Sequence, residues 1–145
     1  MSARVLIVDD SPDNVAMLEE FLAEDAALIR GVTDSKYAEQ IFGEFAPDIV
    51  LLDLHMPDPD GLEILRRLRS VRASLVFVPV IVLTGDTGSV ARNSALLLGA
   101  DDFLTKPLDR YEVVLRVRNL LRTRQLYMDL ARANEDLESE LNRVK

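Results

Sequence analysis

Ile49-Val50-Leu51-Leu52-Asp53 is an uninterrupted apolar run that ends on a carboxylate. The pattern recurs along the chain: Val5-Leu6-Ile7-Val8 runs into Asp9-Asp10, Val80-Ile81-Val82-Leu83 into Thr84, and Asp102-Phe103-Leu104-Thr105 into Lys106-Pro107. Short apolar runs without polar alternation are what parallel strands buried on both faces look like. The strands of a parallel α/β sheet open their carboxyl ends on one edge, where ligands bind. As strands of one sheet, these runs bring three aspartates, a hydroxyl and an ammonium into one pocket. Such a set suits a divalent cation and a phosphoryl group.

The segments between the runs carry helical spacing. Ser11-Pro12-Asp13 supplies an N-cap hydroxyl followed by proline at the first helical position, and Val15, Leu18 and Leu22 mark one face of the helix that follows. Ala27 to Val32, interrupted by Arg30 and Gly31, reads as an edge strand. Further helices are predicted over Ser35 to Phe45, stopped before Pro47, over Leu62 to about Val71, over Ser89 to Leu98 with Gly99 past its end, and from Tyr111 onward. Strand and helix alternate five times, which predicts an α/β fold with a doubly wound five-stranded parallel sheet.

At 145 residues the chain fits one domain of ordinary size, with 48% apolar and 29% charged residues. It contains no cysteine, which excludes disulfides and thiolate metal sites and favours a cytoplasmic location. No apolar stretch approaches the roughly 20 residues of a membrane span. A formal net charge of −8 argues against direct nucleic-acid binding.

The joint pattern carries the chemistry. Singly, Asp9-Asp10 also reads as a polar loop opening a helix, Asp53 as a turn residue, and Lys106-Pro107 as a strand end. Together, Asp9 and Asp10 suit a Mg2+ site, and Asp53 across the sheet suits a nucleophile that holds a phosphoryl group as a mixed anhydride. Carboxylates packed this closely should raise at least one pKa among them. Thr84 can donate to a phosphate oxygen and Lys106 can pair with one. His55, the only histidine, reads as a loop side chain whose backbone carbonyl can serve a metal.

Over residues 3 to about 122 the chain resembles the receiver domain of bacterial two-component response regulators. The resemblance rests on Val8-Asp9-Asp10, on Leu52-Asp53-Leu54-His55-Met56-Pro57 with Gly61, on Thr84-Gly85, and on Gly99-Ala100-Asp101-Asp102-Phe103-Leu104-Thr105-Lys106-Pro107. It implies a flavodoxin-like strand order 2-1-3-4-5 and a phosphorelay switch rather than an enzyme, self-dephosphorylation aside. Asp53 is then the phosphoacceptor, charged by a partner histidine kinase. Asp9, Asp10, Asp53 and the His55 carbonyl form the magnesium site, Thr84 and Phe103 are the pair that reorients, Lys106 senses the phosphate, and Lys106–Pro107 is a cis bond. Pro59 stands where the family usually carries methionine or another apolar residue, and Phe103 replaces the commoner tyrosine. Two rival readings differ in the same residues. A haloacid dehalogenase-type phosphatase would want a second aspartate where His55 stands, and a non-phosphorylated adaptor would have lost Asp53, Thr84 or Lys106.

The stretch from 123 to 145 lacks glycine and proline, and its apolar residues follow a heptad: Leu130, Leu137 and Val144 lie seven apart, as do Tyr127, Asn134 and Leu141. Two readings stay open, an a/d seam with asparagine at one a position and an amphipathic helix folded back on its own domain. The expected division is therefore a receiver domain, 1–122, and a helical or coiled-coil linker, 123–145, leading to a C-terminal effector domain absent from this chain. Val117 to Arg122, Leu126 and Asn134 to Glu138 resemble linkers that precede enzymes of cyclic-di-GMP turnover. A homodimer is expected. Leu96-Leu97-Leu98 should leave at least one leucine partly exposed, whether as a partner surface or as a scattered surface residue. Arg116, Arg118, Arg122 and Arg124 read as a solvated basic face.

Overall fold

A computed structural model describes residues 3–70, 77–85 and 89–144. Its elements alternate in chain order as β1 (Ala3–Val8), α1 (Pro12–Leu22), β2 (Ala26–Val32), α2 (Ala38–Phe45), β3 (Ile49–Asp53), α3 (Gly61–Ser70), β4 (Val80–Thr84), α4 (Ser89–Leu97), β5 (Asp102–Thr105) and α5 (Arg110–Val144). All strands are parallel, in the order β2-β1-β3-β4-β5. That is the expected doubly wound sheet, and α5 continues as the expected helical extension.

The unbroken apolar runs follow from burial on both faces. Leu6, Val8, Val50, Leu52, Val80 and Val82 point to the side covered by α2, α3 and α4, where Phe42, Ile64, Leu65, Leu68 and Ala95 meet them. Their neighbours Val5, Ile7, Ile49, Leu51, Ile81 and Leu83 point to the side covered by α1 and α5, against Leu18, Leu22, Val113 and Val117. The period-2 alternation of a strand thus serves two apolar layers.

Local signals set the helix ends. The Ser11 side chain accepts from the Asn14 amide at 3.3 Å, and Pro12 follows at the first turn. The segment expected as one helix from Ser35 divides: Ser35–Tyr37 is a 3₁₀ turn capped by Asp34, whose carboxylate accepts from the Lys36 amide at 3.1 Å, and α2 starts at Ala38. Gly99 takes φ +103 beyond α4. Ala46 closes α2 at φ 51, a left-handed conformation that costs an L-residue about 1–2 kcal/mol. Ala46→Gly is therefore expected to raise stability by roughly 0.5 kcal/mol, net of the added freedom of the unfolded chain. Chemical denaturation at constant slope checks this.

Helix α5 buries Val113, Val117 and Leu121. Arg124 then clamps it to the sheet, donating to the Phe77 carbonyl at 3.1 Å and pairing with Asp48 at 3.2 Å. Arg118 meets Asp25 at 2.7 Å and Arg116 meets Asp102 at 3.1 Å. Arg116, Arg118 and Arg122 stay exposed, as expected of a solvated basic face, while the half-buried Arg124 departs from it. No helix among the described residues is long and apolar enough to cross a membrane.

Candidate functional site

The carboxyl edge of the sheet gathers the predicted residues. Asp53 and Thr84 end β3 and β4, Asp9 and Asp10 follow β1, and Lys106 follows β5. Parallel register fixes their levels: Val8 lies opposite Leu52, Asp53 opposite Leu83 and Thr84 opposite Thr105. Asp9, Asp53 and Thr84 are 0%, 1% and 2% exposed, whereas Asp10 is open to solvent.

Buried carboxylates need donors or a cation. The Ser11 amide donates to Asp9 Oδ1 at 2.9 Å, and Asn14 Nδ2 lies 3.3 Å from Asp9 Oδ2. The His55 amide donates to Asp53 Oδ1 at 3.1 Å. Lys106 Nζ bridges the two acids, 3.4 Å from Asp53 Oδ1 and 3.6 Å from Asp9 Oδ2. The Lys106 amide donates to the Thr84 carbonyl at 2.8 Å, which holds the lysine at the edge, and the Lys106–Pro107 peptide is cis. Burial, and secondarily the Asp9 charge, push the Asp53 carboxyl above its ordinary range, against the His55 amide and Lys106, which pull it down. The crowding anticipated from sequence is thus present, but removal from water is the larger cause.

Asp9, Asp10 and Asp53 each offer an oxygen within 4.8 Å of the others. Three carboxylates with no sulfur or imidazole in the group form a donor set for a hard cation that prefers oxygen. The residues present therefore fit magnesium.

Two features escaped the sequence. His55 is not only a backbone: its Nε2 lies 3.2 Å from Thr84 Oγ1. Asn14, one turn into α1, reaches back to Asp9, and its only sequence signal is that position. Phe103 stands apart from the carboxylates. It pairs in register with Val82, is half-buried against the α4 side of the core, and has the Arg92 guanidinium 4.8 Å from its ring centroid. Behind the site, Gly61 passes so close to β3 that a Cβ there would lie 2.3 Å from the Asp53 carbonyl oxygen. The Asp58–Pro59 peptide in the intervening loop is also cis.

Residues 5–118 match the family model described as response regulator receiver domain. The chain is 40% identical over 119 residues to the transcriptional regulatory protein TrcR of Mycobacterium tuberculosis, covering 82% of this chain and 45% of that protein. It is 38% identical over 135 residues to the response regulator PleD of Caulobacter vibrioides, covering 93% and 29%. Among solved structures, NtrX from Brucella abortus superposes with a TM-score of 0.82 at 27% identity, over 92% of this chain and 30% of that one. A two-component response regulator of the LuxR family from Aurantimonas gives 0.76 at 28%, over 86% and 88%. The chain spans less than half the length of both curated relatives.

Proposed function

The chain belongs to the response regulator receiver domain family, and from that premise we propose that Asp53 accepts a phosphoryl group from a histidine kinase and that the resulting charge resets a protein-binding surface. The observation that carries this reading is the setting of Asp53: a buried carboxylate with Lys106 at 3.4 Å and the oxygens of Asp9 and Asp10 within 4.8 Å. A carboxylate oxygen of Asp53 attacks phosphorus, the new P–O bond forms as the P–N bond of the donor phosphohistidine breaks, and the imidazole leaves with the electron pair. Asp9, Asp10, Asp53 and the His55 carbonyl would hold magnesium. Bound there, the ion would offset the repulsion between the Asp53 carboxylate and an anionic phosphoryl group.

Lys106 and Thr84 are placed to follow the new charge. Lys106 can trade its contact with Asp53 for a phosphoryl oxygen, and the Thr84 hydroxyl, 3.2 Å from His55 Nε2, can donate to another. Two charge-assisted contacts of about 1.5–3 kcal/mol each approach the roughly 5.5 kcal/mol that takes a switch from 1:99 to 99:1. Movement of Thr84 would be felt on the neighbouring strand, where Phe103 lies beneath Arg92 of α4; Val90 and Leu97 on that helix and Tyr111 on α5 are each exposed. Residues 1–122 then form the receiver, whose last buried residue on α5 is Leu121, and 123–145 form a linker towards an output domain.

A magnesium titration followed by thermal unfolding tests the site. A cation that binds only the folded state raises its unfolding temperature. Wild-type protein is expected to show that rise, and beryllofluoride, a phosphoryl mimic, to enlarge it. Asp10 is exposed, so Asp10→Ala should fold normally and weaken magnesium binding by roughly tenfold or more. An undiminished magnesium effect in Asp10→Ala would reject the assignment.

A further inference from the structure

Helix α5 leaves the domain as one unbroken helix, and every residue from Asp129 to Val144 is exposed. Leu126, Leu130, Leu137 and Leu141 remain 62–64% exposed and Val144 81%. A helix of this kind is marginal in water without cover for its apolar stripe. The stripe does not face the receiver. At about 100° per residue, the a/d residues Tyr127, Leu130, Asn134, Leu137, Leu141 and Val144 centre roughly 130° round the helix from Val113, Val117 and Leu121, which pack on the sheet. Among the described residues, Tyr127 at the near edge of the stripe meets the domain, with its ring centroid 5.5 Å from that of Phe77. No glycine or proline after Pro107 provides a hinge, and the Arg124 clamp on Asp48 and Phe77 fixes the direction of exit. A fold-back onto the same domain would require breaking that helix.

We infer that this stripe is covered by the same stripe of a second copy of the chain, the two helices running parallel and in register. Asn134 chooses this occupant and this orientation. An asparagine flanked in its seam by leucines keeps its amide hydrogen bonds only where another amide faces it. In a parallel in-register pair each a residue meets its own counterpart, so Asn134 meets Asn134 of the second copy. In an antiparallel pair a residues meet d residues, and Asn134 would lie against leucine. The flanks agree. Ala131 and Ala133 at e and g let the helices approach beside the asparagine, and parallel pairing sets Ala133 against Glu138 of the second copy with no like charges opposed. The two receivers then lie side by side at one end of the coil. This pairing goes beyond the phosphoacceptor reading and does not depend on it.

The chain has no cysteine, so single cysteines report alone. Leu130→Cys and Leu137→Cys, oxidised mildly without phosphodonor or magnesium, are each expected to give disulfide-linked dimers as the main product. Ser139→Cys, on the far side of the helix, should stay monomeric. An antiparallel pair can place at most one of the two seam positions opposite itself, so linkage at only one overturns the parallel register. Equal linkage through Ser139→Cys, or none at either seam position, overturns the seam. In analytical ultracentrifugation the Leu130→Glu/Leu137→Glu double variant, changed only at exposed positions, should lose the association shown by wild type. Undiminished association of that variant would likewise reject the stripe as the contact.

Discussion

Asp53→Asn is expected to lose the acid-labile phosphoryl adduct to background and, in the absence of magnesium, to unfold at a higher temperature than wild type at neutral pH. The first effect follows from the nucleophile: a carboxamide oxygen does not form the mixed anhydride. The second follows from the cost of keeping a charge where Asp53 sits. Its carboxyl is raised above 3.8 by burial first and by Asp9 second, so in the folded protein the ionised form is disfavoured overall despite His55 and Lys106. Below about pH 3.8 the group is protonated in both states and costs nothing. As pH rises through the interval between that value and the raised folded value, the native state retains a proton that the unfolded state has released. Wild-type stability contributed by this group therefore falls with pH, and the penalty is complete above the folded pKa. Asparagine carries no such penalty, so the gap between variant and wild type should open with pH and be full at neutrality. Each kcal/mol relieved would raise the unfolding temperature by about 2–4 °C. Thermal unfolding in chelator near pH 4 and near pH 7 measures it. A variant no more stable than wild type at neutral pH would show that the Lys106 and His55 contacts outweigh burial.

Gly61→Ala should be among the most damaging conservative changes in the chain. The added Cβ would lie 2.3 Å from the Asp53 carbonyl oxygen and 2.4 Å from the Leu54 Cα. Both neighbours are backbone, so no side-chain rotation relieves the contact. The first turn of α3 must move off β3, or the end of β3 must move, and the latter carries Asp53 itself. Overpacking that only backbone shifts can relieve costs about 3 kcal/mol. A loss of that size lowers the unfolding temperature of a domain this large by roughly 10 °C, and the adduct yield should fall with it. Gly43→Ala is the control, because nothing lies within 4 Å of its Cβ position. Within α2 it should gain about 0.5–1 kcal/mol. Equal melting of Gly61→Ala and wild type would mean that α3 can back away from β3 freely.

The strands were legible because each of the central ones is buried on both faces, so its apolar run carries no polar interruption until the functional edge. The site was legible for the same reason, since the residue after each run is where the sheet stops being core. Asp9, Asp53, Thr84 and Lys106 needed only the parallel arrangement to meet. What stayed hidden depends on docking between distant elements. His55 and Thr84 are 29 positions apart and meet through a side chain whose loop path no local pattern specifies. Arg118 and Asp25 are 93 positions apart, and the still-exposed cation also ties α5 to the turn between α1 and β2. The 3₁₀ turn at Ser35 was concealed for a different reason: Asp34 caps locally, within three residues, inside a segment whose apolar spacing already read as helical.

We propose that the buried Asp53, rather than either of its acidic neighbours, takes the phosphoryl group. The direct measurement is to treat the wild-type protein with magnesium and acetyl phosphate, reduce the acyl phosphate with borohydride, which converts the modified aspartate to homoserine, and locate that residue by peptide mass spectrometry. The result expected is homoserine at position 53 alone, and none when magnesium is chelated. Homoserine at position 9 or 10, or at position 53 to the same extent without magnesium, would contradict the account.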